Sequence, residues 1–360
     1  HSATLDLDRA TDCNARRRRH CIATSLRRQR LEPTRPSTRI DHHMALPDTS
    51  RRNLAEDYSI CSLPVGLWQL SGGHGRIDRE LATETLFEYF DHGYTTLDMA
   101  DHYGPAEDIY GDFRRRLRER RGDEANARLQ AMTKWCPSPG PMTRDVVEEA
   151  VTTSRRRMDV DCLDVLQFHW WDYDDPRYMD ALGHMADLQS AGQIRHLALT
   201  NFDSRHLARI VESGIRIVSN QVQYSLVDRR PEREQLALCR EHDIHFLTYG
   251  TLCGGLLSEA YIDCDEPRPS ALETNSKKKY KRMIDAWGGW ELFQRLLGGL
   301  SAVARRHGVG VANVATRAIL DQDCVAGVII GCHLGLSEHR SDNARVFDFS
   351  LDDNDWEILD

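Results

Sequence analysis

Four side chains in this sequence form a set that could deliver a proton to a carbonyl oxygen: Asp98, Tyr103, Lys134 and His169. A tyrosine hydroxyl has a reference pKa near 10, so acid or base catalysis at neutral pH requires a stabilised phenolate. A neighbouring ammonium group provides that stabilisation because opposite charge favours the ionised form, and a carboxylate keeps the ammonium charged in a dry pocket. A histidine can hydrogen-bond the carbonyl and orient it. The set therefore suits proton delivery to a carbonyl that receives a hydride.

Lys134 is the least ordinary member of this set. Only five of the 47 basic residues are lysines, and the other four lie in the run KKKYK at 277–281. Lys134 ends an apolar segment in a chain that otherwise uses arginine, which favours a specific role for it. Each of the other three residues, taken alone, is more typical of a helix cap, a packed rim or a core histidine whose hydrogen bonds are satisfied.

The elements that must position these residues alternate between strand and helix from about Pro64 onward. Eight β-rich segments are predicted: 65–70, 94–99, 129–135, 162–171, 194–202, 215–224, 244–252 and 325–331. Such alternation indicates parallel strands joined by right-handed crossovers, and eight units predict an α/β fold, a (β/α)8 TIM barrel in a single domain. Barrel chemistry lies at the carboxyl ends of the strands, where all four residues fall.

An open doubly wound sheet is the alternative architecture. Its GxGxxG fingerprint is missing, because the GGHG run at 72–75 does not lie between a strand and a helix in that form and is more typical of a turn. The stretch 253–288 is too long for a routine connection, which predicts a functional loop. Helices are predicted over 78–90, 105–121, 143–158, 177–190, 204–214, after Pro231, over 292–303 and from about Ser337, with caps at Asp78, Thr143 and Ser204.

Residues 1–43 are predicted to be a disordered leader or a gene-model extension, and residues 44–360 to form the barrel domain. The leader alternates arginine runs with Ser, Thr and Pro, shows neither helical nor strand periodicity, and precedes the first methionine, Met44. An Arg- and Ser-rich leader can be an organelle transit peptide, but acidic residues interrupt this one. We therefore expect a cytoplasmic protein, with organellar import as the alternative if the leader is a transit peptide.

Composition argues against several classes of protein. The formal net charge of −9 disfavours a general nucleic-acid binder, and no apolar run approaches the roughly 18 residues of a membrane helix. Ten cysteines without a CxxC pair indicate reduced, buried thiols. A metal-dependent hydrolase is disfavoured because no HxH follows the first strand and the His and Asp residues lack ligand spacing, so no metal is expected.

Over about residues 60–350 the chain resembles the aldo-keto reductase family. The motifs that carry this resemblance are DMADHYG (98–104), MTKW (132–135), QFHWW (167–171), SAGQIRHLALTNF (190–202), SNQVQYS (219–225) and YGTLCGGLLS (249–258). The resemblance implies a (β/α)8 barrel that transfers hydride between NADP(H) and a carbonyl or alcohol, without a metal. By matching position it implies that Tyr103 is the acid/base, that Lys134 and Asp98 tune it, and that His169 orients the carbonyl.

The same resemblance implies where the cofactor binds. Asn201 and Gln221 match residues that hold the nicotinamide carboxamide, and Tyr249 matches the residue that stacks on the nicotinamide ring. The loop from Leu252 matches the segment over the pyrophosphate, and Asn343 matches the adenine end. These five residues are therefore expected to contact the cofactor.

The binding site for the 2′-phosphate departs from the family pattern. The family usually carries Lys or Arg after the last strand, whereas IIGCHLGLSEHRSDN (329–343) has His333 and His339 there. Arg340 or the 277–281 lysines are alternative sources of positive charge. Because histidine is largely neutral above pH 7, we expect NADP(H) as cofactor with a weaker preference over NAD(H) than is usual, and NAD(H) remains the alternative.

The sequence thus predicts an NADP(H)-dependent oxidoreductase that reduces an aldehyde or ketone, with Tyr103 as general acid. Trp68 matches an aromatic wall of the family's substrate pocket, joined by Trp170 and Trp171. The expected partner is a small-molecule carbonyl compound, with neither nucleic acid nor membrane. A slow or non-catalytic barrel that senses the cofactor as a regulatory subunit is the alternative function, although the intact set of four residues argues against it. The substrate and the oligomeric state stay open.

Overall fold

The computed structural model of the chain describes residues 45–72, 77–335 and 339–359. The predicted leader over 1–43 lies outside these residues, as do Met44, most of the GGHG run and the predicted helix start at Ser337. Within the described residues, no helix is both long and apolar enough to cross a bilayer.

A nine-stranded parallel sheet closes into a barrel. The strands of the molecule are β1 (Arg51–Ala55), β2 (Tyr58–Cys61), β3 (Val65–Gly66), β4 (Thr96–Asp98), β5 (Gln130–Trp135), β6 (Leu163–His169), β7 (Ile194–Thr200), β8 (Ser219–Gln223), β9 (His245–Tyr249), β10 (Val325–Val328) and β11 (Ile330–Gly331). The barrel order is β10-β9-β8-β7-β6-β5-β4-β3-β11. Only Ile329 separates β10, which pairs with β9, from β11, which pairs with β3, so the two fill one strand position. The predicted (β/α)8 barrel is confirmed.

The helices surround this barrel and join its strands. They are α1 (Arg79–Asp91), α2 (Ala106–Ala127), α3 (Arg144–Met158), α4 (Tyr178–Ser190), α5 (Ser204–Glu212), α6 (Arg230–Glu234), α7 (Leu236–Glu241), α8 (Asn275–Trp287), α9 (Gly289–His307), α10 (Val311–Leu320), α11 (Arg340–Ala344) and α12 (Asp353–Leu359). The side chains of Asp78 and Thr143 cap α1 and α3 as predicted. The cap of α5 is Asp203, which accepts from the His206 amide, and not Ser204.

Two predicted elements differ in the structure. The first barrel strand, predicted over 65–70, ends at Gly66, and the residues Trp68–Ser71 form a turn of 3₁₀-helix. A Cβ at Gly66 would lie 2.7 Å from Cγ2 of Ile329, so glycine permits the close approach that closes the barrel. The stretch 253–288 contains α8, whose cap is the Thr274 side chain.

The hairpin β1–β2 covers the amino-terminal end of the barrel and was not predicted. Its apolar residues Leu54 and Ile60 are fully buried against inward-facing strand residues such as Val165. Arg52 donates hydrogen bonds to the carbonyl of Val325, where β10 begins. The hairpin thus closes the end of the barrel opposite the one that carries the polar strand ends.

Two helical glycines offer a test of the packing between helices. A Cβ at Gly111 in α2 would lie 2.2 Å from the carbonyl oxygen of Arg157 in α3, whereas nothing lies within 4 Å of that position at Gly183 in α4. We expect Gly111→Ala to lower the free energy of unfolding by about 1–3 kcal/mol, because a clash with backbone cannot relax easily. Gly183→Ala should raise it by about 0.5–1 kcal/mol, because alanine favours the helix. Urea denaturation of both variants measures the difference, and equal effects would contradict this packing.

Candidate active site

The predicted site residues meet at the carboxyl end of the barrel. Asp98 is the last residue of β4, Lys134 the last but one of β5, His169 the last of β6 and Tyr249 the last of β9. Tyr103 lies in the turn between β4 and α2. Neighbouring parallel strands place their carboxyl ends at one rim, which explains how residues far apart in sequence share one site.

The centre of the site is a buried ion pair. The Lys134 Nζ donates to Asp98 Oδ2 at 2.7 Å and to the carbonyl of Met99 at 2.9 Å. The two charged side chains are only 2% and 4% exposed. An ammonium and a carboxylate are tolerated out of water because each satisfies the other and both find further hydrogen bonds.

Two glutamine amides complete the surroundings of the carboxylate. Asp98 Oδ1 accepts from Gln167 Nε2 and from Gln221 Nε2, each at 2.8 Å, and the two amides share a 2.7 Å hydrogen bond. Gln221 is the residue that was expected to hold the carboxamide of a cofactor. In this structure its amide nitrogen donates to Asp98 instead. Gln167 was missed by the sequence analysis. The signal was its place two residues before His169, which puts both side chains on one face of β6.

Tyr103 packs between Lys134 and Trp68. The Lys134 Nζ lies 5.1 Å from the centre of the tyrosine ring, and the Trp68 ring meets it edge-on at 5.0 Å. Burial, and then the negative charge of Asp98, raise the pKa of Tyr103 well above its usual value. In the resting site these two effects outweigh any stabilisation of the phenolate by Lys134. Tyr103 is therefore a protonated hydroxyl at neutral pH.

His169 is held beside a thiol and an indole. Its Nδ1 lies 3.8 Å from the Cys136 sulfur, and its ring centre lies 4.0 Å from that of Trp171. Burial, followed by the charges of His102 and Lys134, lowers the pKa of His169 to about 4. A neutral imidazole carries one N–H and one lone pair, so His169 can donate a single hydrogen bond into the site.

The three candidate tryptophans divide between surface and core. Trp68 and Trp171 are exposed at the rim, at 45% and 57% of their surface. Trp170 is 1% exposed and donates its indole N–H to the carbonyl of Asp172, so it belongs to the core beside Phe168. Successive residues leave a strand on opposite faces, which is why only one member of the Trp170–Trp171 pair reaches the rim.

The second part of the site lies at the carboxyl ends of β7 and β9 and consists of the Asn201 amide and the Tyr249 ring. The Tyr249 hydroxyl donates to Asn201 Oδ1 at 2.9 Å, and the Asn201 backbone adopts the left-handed conformation (φ 61°) that asparagine tolerates. Among the described residues, the Asn201 Nδ2 and the buried Thr200 hydroxyl have no hydrogen-bond partner. The ammonium of Lys279, on α8, lies 5.1 Å from the Tyr249 ring centre.

The connection after β9 includes the partly buried Leu252 and leads into α8. Gly250 has a positive φ of 73°, and a Cβ there would lie 2.2 Å from the Tyr280 hydroxyl. The glycine thus lets α8 approach the end of β9 closely. This contact is what keeps the long connection next to the rim.

The segment after β11 holds the residues predicted for the adenine end. His333 is partly buried, His339 is exposed directly before α11, and Asn343 lies within that helix. Arg340 forms an ion pair with Glu88 on α1, and its side chain is only 12% exposed. Arg340, one of the two alternative sources of positive charge, is therefore already paired within the fold.

Comparison with known proteins identifies the family to which this chain belongs. The model of the aldo/keto reductase family matches residues 62–360. The chain belongs to the aldo/keto reductase family. As a member, it is an oxidoreductase that uses a nicotinamide dinucleotide, NADP(H) or NAD(H).

Individual relatives are distant. The chain is 27% identical over 331 residues to the NADH-specific methylglyoxal reductase of Escherichia coli (strain K12), covering 84% of this chain and 94% of that protein. It is 26% identical over 288 residues to a probable voltage-gated potassium channel subunit beta of Arabidopsis thaliana, covering 76% and 83%. The crystal structure of a Bombyx mori aldo-keto reductase in complex with NADP superposes with a TM-score of 0.64 at 18% identity, covering 88% of this chain and 92% of the other, which shows a common fold.

The ion pair at the centre of the site makes a sharp stability prediction. We expect Lys134→Met to lower the free energy of unfolding by about 3–5 kcal/mol, because it leaves a buried carboxylate without its counter-charge. Adding Asp98→Asn should recover part of this loss, so that the double variant loses less than the sum of the two single ones. Chemical denaturation measures all three.

The control for this experiment is an exposed ion pair of similar type. Arg295 and Glu291 lie 3.3 Å apart on α9 and are both largely exposed. Arg295→Met should change the free energy of unfolding by no more than about 0.5 kcal/mol. If Lys134→Met costs as little as this control, the ion pair is not the centre of the site that we describe.

Proposed function

We propose that this protein reduces an aldehyde or ketone to an alcohol with NADP(H), and that Tyr103 donates the proton. The observation that carries the proposal is the buried Asp98–Lys134 ion pair beneath Tyr103, with His169 on the next strand end. A stability role alone gives no reason to place an ion pair, a protonated phenol and a neutral imidazole together at a barrel mouth. Family membership supports the same reaction class.

The residues at the mouth fit a nicotinamide cofactor. The ring of Tyr249 offers a flat surface for stacking, and Asn201 offers an amide nitrogen that no described residue uses, which suits the carboxamide of nicotinamide. Thr200 adds a buried hydroxyl in the same place. When bound, the cofactor supplies the hydride. Its remaining length would be held by the loop from Leu252 and by the segment that includes Asn343.

The proton transfer follows from the state of the two groups that face the carbonyl. Tyr103 is protonated, so it can give its proton to the carbonyl oxygen as negative charge develops there. The Lys134 ammonium, 5.1 Å from the centre of the Tyr103 ring, favours the phenolate that remains. His169 is neutral and donates a hydrogen bond that orients the carbonyl. The exposed indoles of Trp68 and Trp171 provide the apolar wall beside it.

Tyr103→Phe tests the proton donor. We expect kcat to fall by about 10²–10⁴-fold while cofactor affinity stays nearly constant, because only the acidic hydroxyl is removed. Steady-state kinetics with NADPH and a panel of aldehydes and ketones measures the first, and protein fluorescence measures the second. The matched control is Tyr178→Phe, since Tyr178 is a buried tyrosine of the core whose hydroxyl has no partner among the described residues. Unchanged turnover in Tyr103→Phe would refute the assignment.

The source of charge for the 2′-phosphate decides the cofactor preference. Lys281 is engaged by Glu266 and Asp285, Lys279 lies at the Tyr249 end of the site, and Arg340 is paired with Glu88. Because carboxylates engage Lys281 and Arg340, these two cations are less suited to the phosphate than His333 and His339. We therefore propose a preference for NADP(H) that is weaker than is usual in the family.

This assignment predicts a pH dependence. A bound phosphate carries between one and two negative charges and raises the pKa of a histidine beside it, so binding takes up protons and weakens as pH rises through about 6 to 8. We expect the Kd of NADPH to rise by about tenfold over that range while the Kd of NADH stays flat. Fluorescence titration at several pH values measures both.

The control is the double variant His333→Gln with His339→Gln, in which the pH dependence for NADPH should disappear. A strong preference for NADPH that does not change with pH would contradict the histidine assignment and favour a permanent cation. Tight binding of NADH with none of NADPH would overturn the choice of cofactor.

A cofactor-sensing regulatory subunit is the second candidate function, supported by the similarity to the Arabidopsis thaliana channel subunit. In that case the bound cofactor turns over slowly. A single-turnover experiment distinguishes the two functions, because a reductase oxidises bound NADPH within seconds of meeting a carbonyl substrate, whereas a sensor holds it reduced.

A further inference from the structure

We propose that Asp101, His102 and Cys136 form a binding site for Zn²⁺ at the rim of the barrel, and that the bound ion inhibits carbonyl reduction. The second half rests on the proposed function, whereas the first half does not. In the part of the chain that the structure describes, Asp101, His102 and Cys136 are the one group of three His, Cys, Asp or Glu residues whose ligand atoms all lie within 4.8 Å of one another.

His169 lies beside this group without belonging to it, because its Nδ1 is 3.8 Å from the Cys136 sulfur but not close to all three ligand atoms. A tetrahedral zinc ion with bonds of about 2.3 Å to sulfur and about 2.0 Å to nitrogen separates two such ligand atoms by about 3.5 Å. On the other side, His102 Nδ1 lies 2.9 Å from Asp101 Oδ1. A small rotation of the exposed His102 ring opens this last distance to the same value.

The backbone around the group holds two of the ligands in place. The Asp101 amide donates to the Lys134 carbonyl at 2.9 Å, and the Cys136 amide donates to Asp101 Oδ2 at 3.3 Å. Arg157 donates to the Asp101 carbonyl at 3.2 Å. The turn after β4 and the end of β5 are thus tied together. A rigid pair of ligands lowers the cost of ordering a metal site on binding.

The types of ligand select the ion. One thiol, one imidazole and one carboxylate match zinc, which accepts sulfur, nitrogen and oxygen ligands, and a water would complete its tetrahedron. Magnesium and calcium prefer oxygen ligands only, and one carboxylate does not hold them. Access from solvent is open, because 43% of the His102 side chain is exposed. The positive charge of Lys134 nearby is already balanced by Asp98.

The site stands between solvent and the reacting groups. The His102 ring lies edge-on to the rings of Tyr103 and Trp68, at 4.9 and 6.4 Å. A zinc ion held by Asp101, His102 and Cys136 would lie next to His169, whose Nδ1 is 3.8 Å from the Cys136 sulfur, and would fix the His102 ring beside Tyr103. The ion would therefore hinder the carbonyl substrate at the group proposed to orient it.

Cobalt replaces zinc as a spectroscopic probe, because thiolate-to-Co²⁺ charge transfer absorbs in the near ultraviolet. On titrating the purified, reduced full chain with Co²⁺, we expect this band to saturate at one equivalent and to vanish when Zn²⁺ is added. The apparent Kd should rise at least tenfold in His102→Gln, and the band should be lost in Cys136→Ser. Cys162→Ser is the matched control, since Cys162 is a partly buried thiol at the start of β6, and it should behave as the original chain.

A missing charge-transfer band in the original chain, or an unchanged band in Cys136→Ser, would overturn the site. Because His102 is an exposed side chain, His102→Gln keeps the fold and tests the site even if Cys136→Ser is unstable. The cobalt titration does not require the protein to be active, so it tests the metal site even if the proposed reaction is wrong.

Zinc inhibition of NADPH oxidation is the second arm. Each variant is compared with its own rate in the presence of a chelator. The zinc concentration for half inhibition should be at least tenfold higher in Cys136→Ser and His102→Gln than in the original chain and Cys162→Ser, and chelation should restore the rate. Binding of Co²⁺ without any effect of Zn²⁺ on turnover would overturn the inhibitory role.

Discussion

The ammonium of Lys134 lies out of water, and a charge in that position must meet an opposite charge and further hydrogen bonds. Asp98 is that counter-charge, and its second oxygen is in turn satisfied by the amides of Gln167 and Gln221. Four strands, β4, β5, β6 and β8, therefore contribute one side chain each to a single network. The barrel must close with these strands in one register, because a shift in any of them would leave a buried charge or amide without its partner.

The amino-terminal end of the barrel contributes to stability, and the carboxyl end carries the residues for chemistry. At the amino-terminal end, the hairpin β1–β2 fills the opening with apolar side chains. At the carboxyl end, polar residues occupy the strand ends, and the loop with α8 passes back beside the rim. The apolar contacts of the core do not depend on the residues at the carboxyl end of the barrel. That end can therefore carry polar and charged groups.

Electrostatics at the open end keep the reacting groups neutral. Burial and the Asp98 charge raise the pKa of Tyr103, and burial lowers that of His169 to about 4. Both shifts disfavour charge on these two largely buried groups. The Asp98 carboxylate and the Lys134 ammonium lie 2.7 Å apart, so each balances the charge of the other. The Cys136 thiol, whose pKa burial raises to about 12, extends this neutral surrounding to the rim.

The alternation of strands and helices, and the polar residues at the strand ends, were enough to predict the barrel, the four site residues and their common rim, because the period of apolar residues is a local property. The sequence did not reveal the hairpin at the closed end, Gln167 beside Asp98, or the burial of Trp170 beside the exposed Trp171. Nor did it show that Cys136 meets His169. Those features depend on which strands become neighbours and which face of each strand turns inward, and only the closed barrel decides that. The protonation state of Tyr103 also depends on the closed barrel, since a pKa depends on every charge within reach in three dimensions.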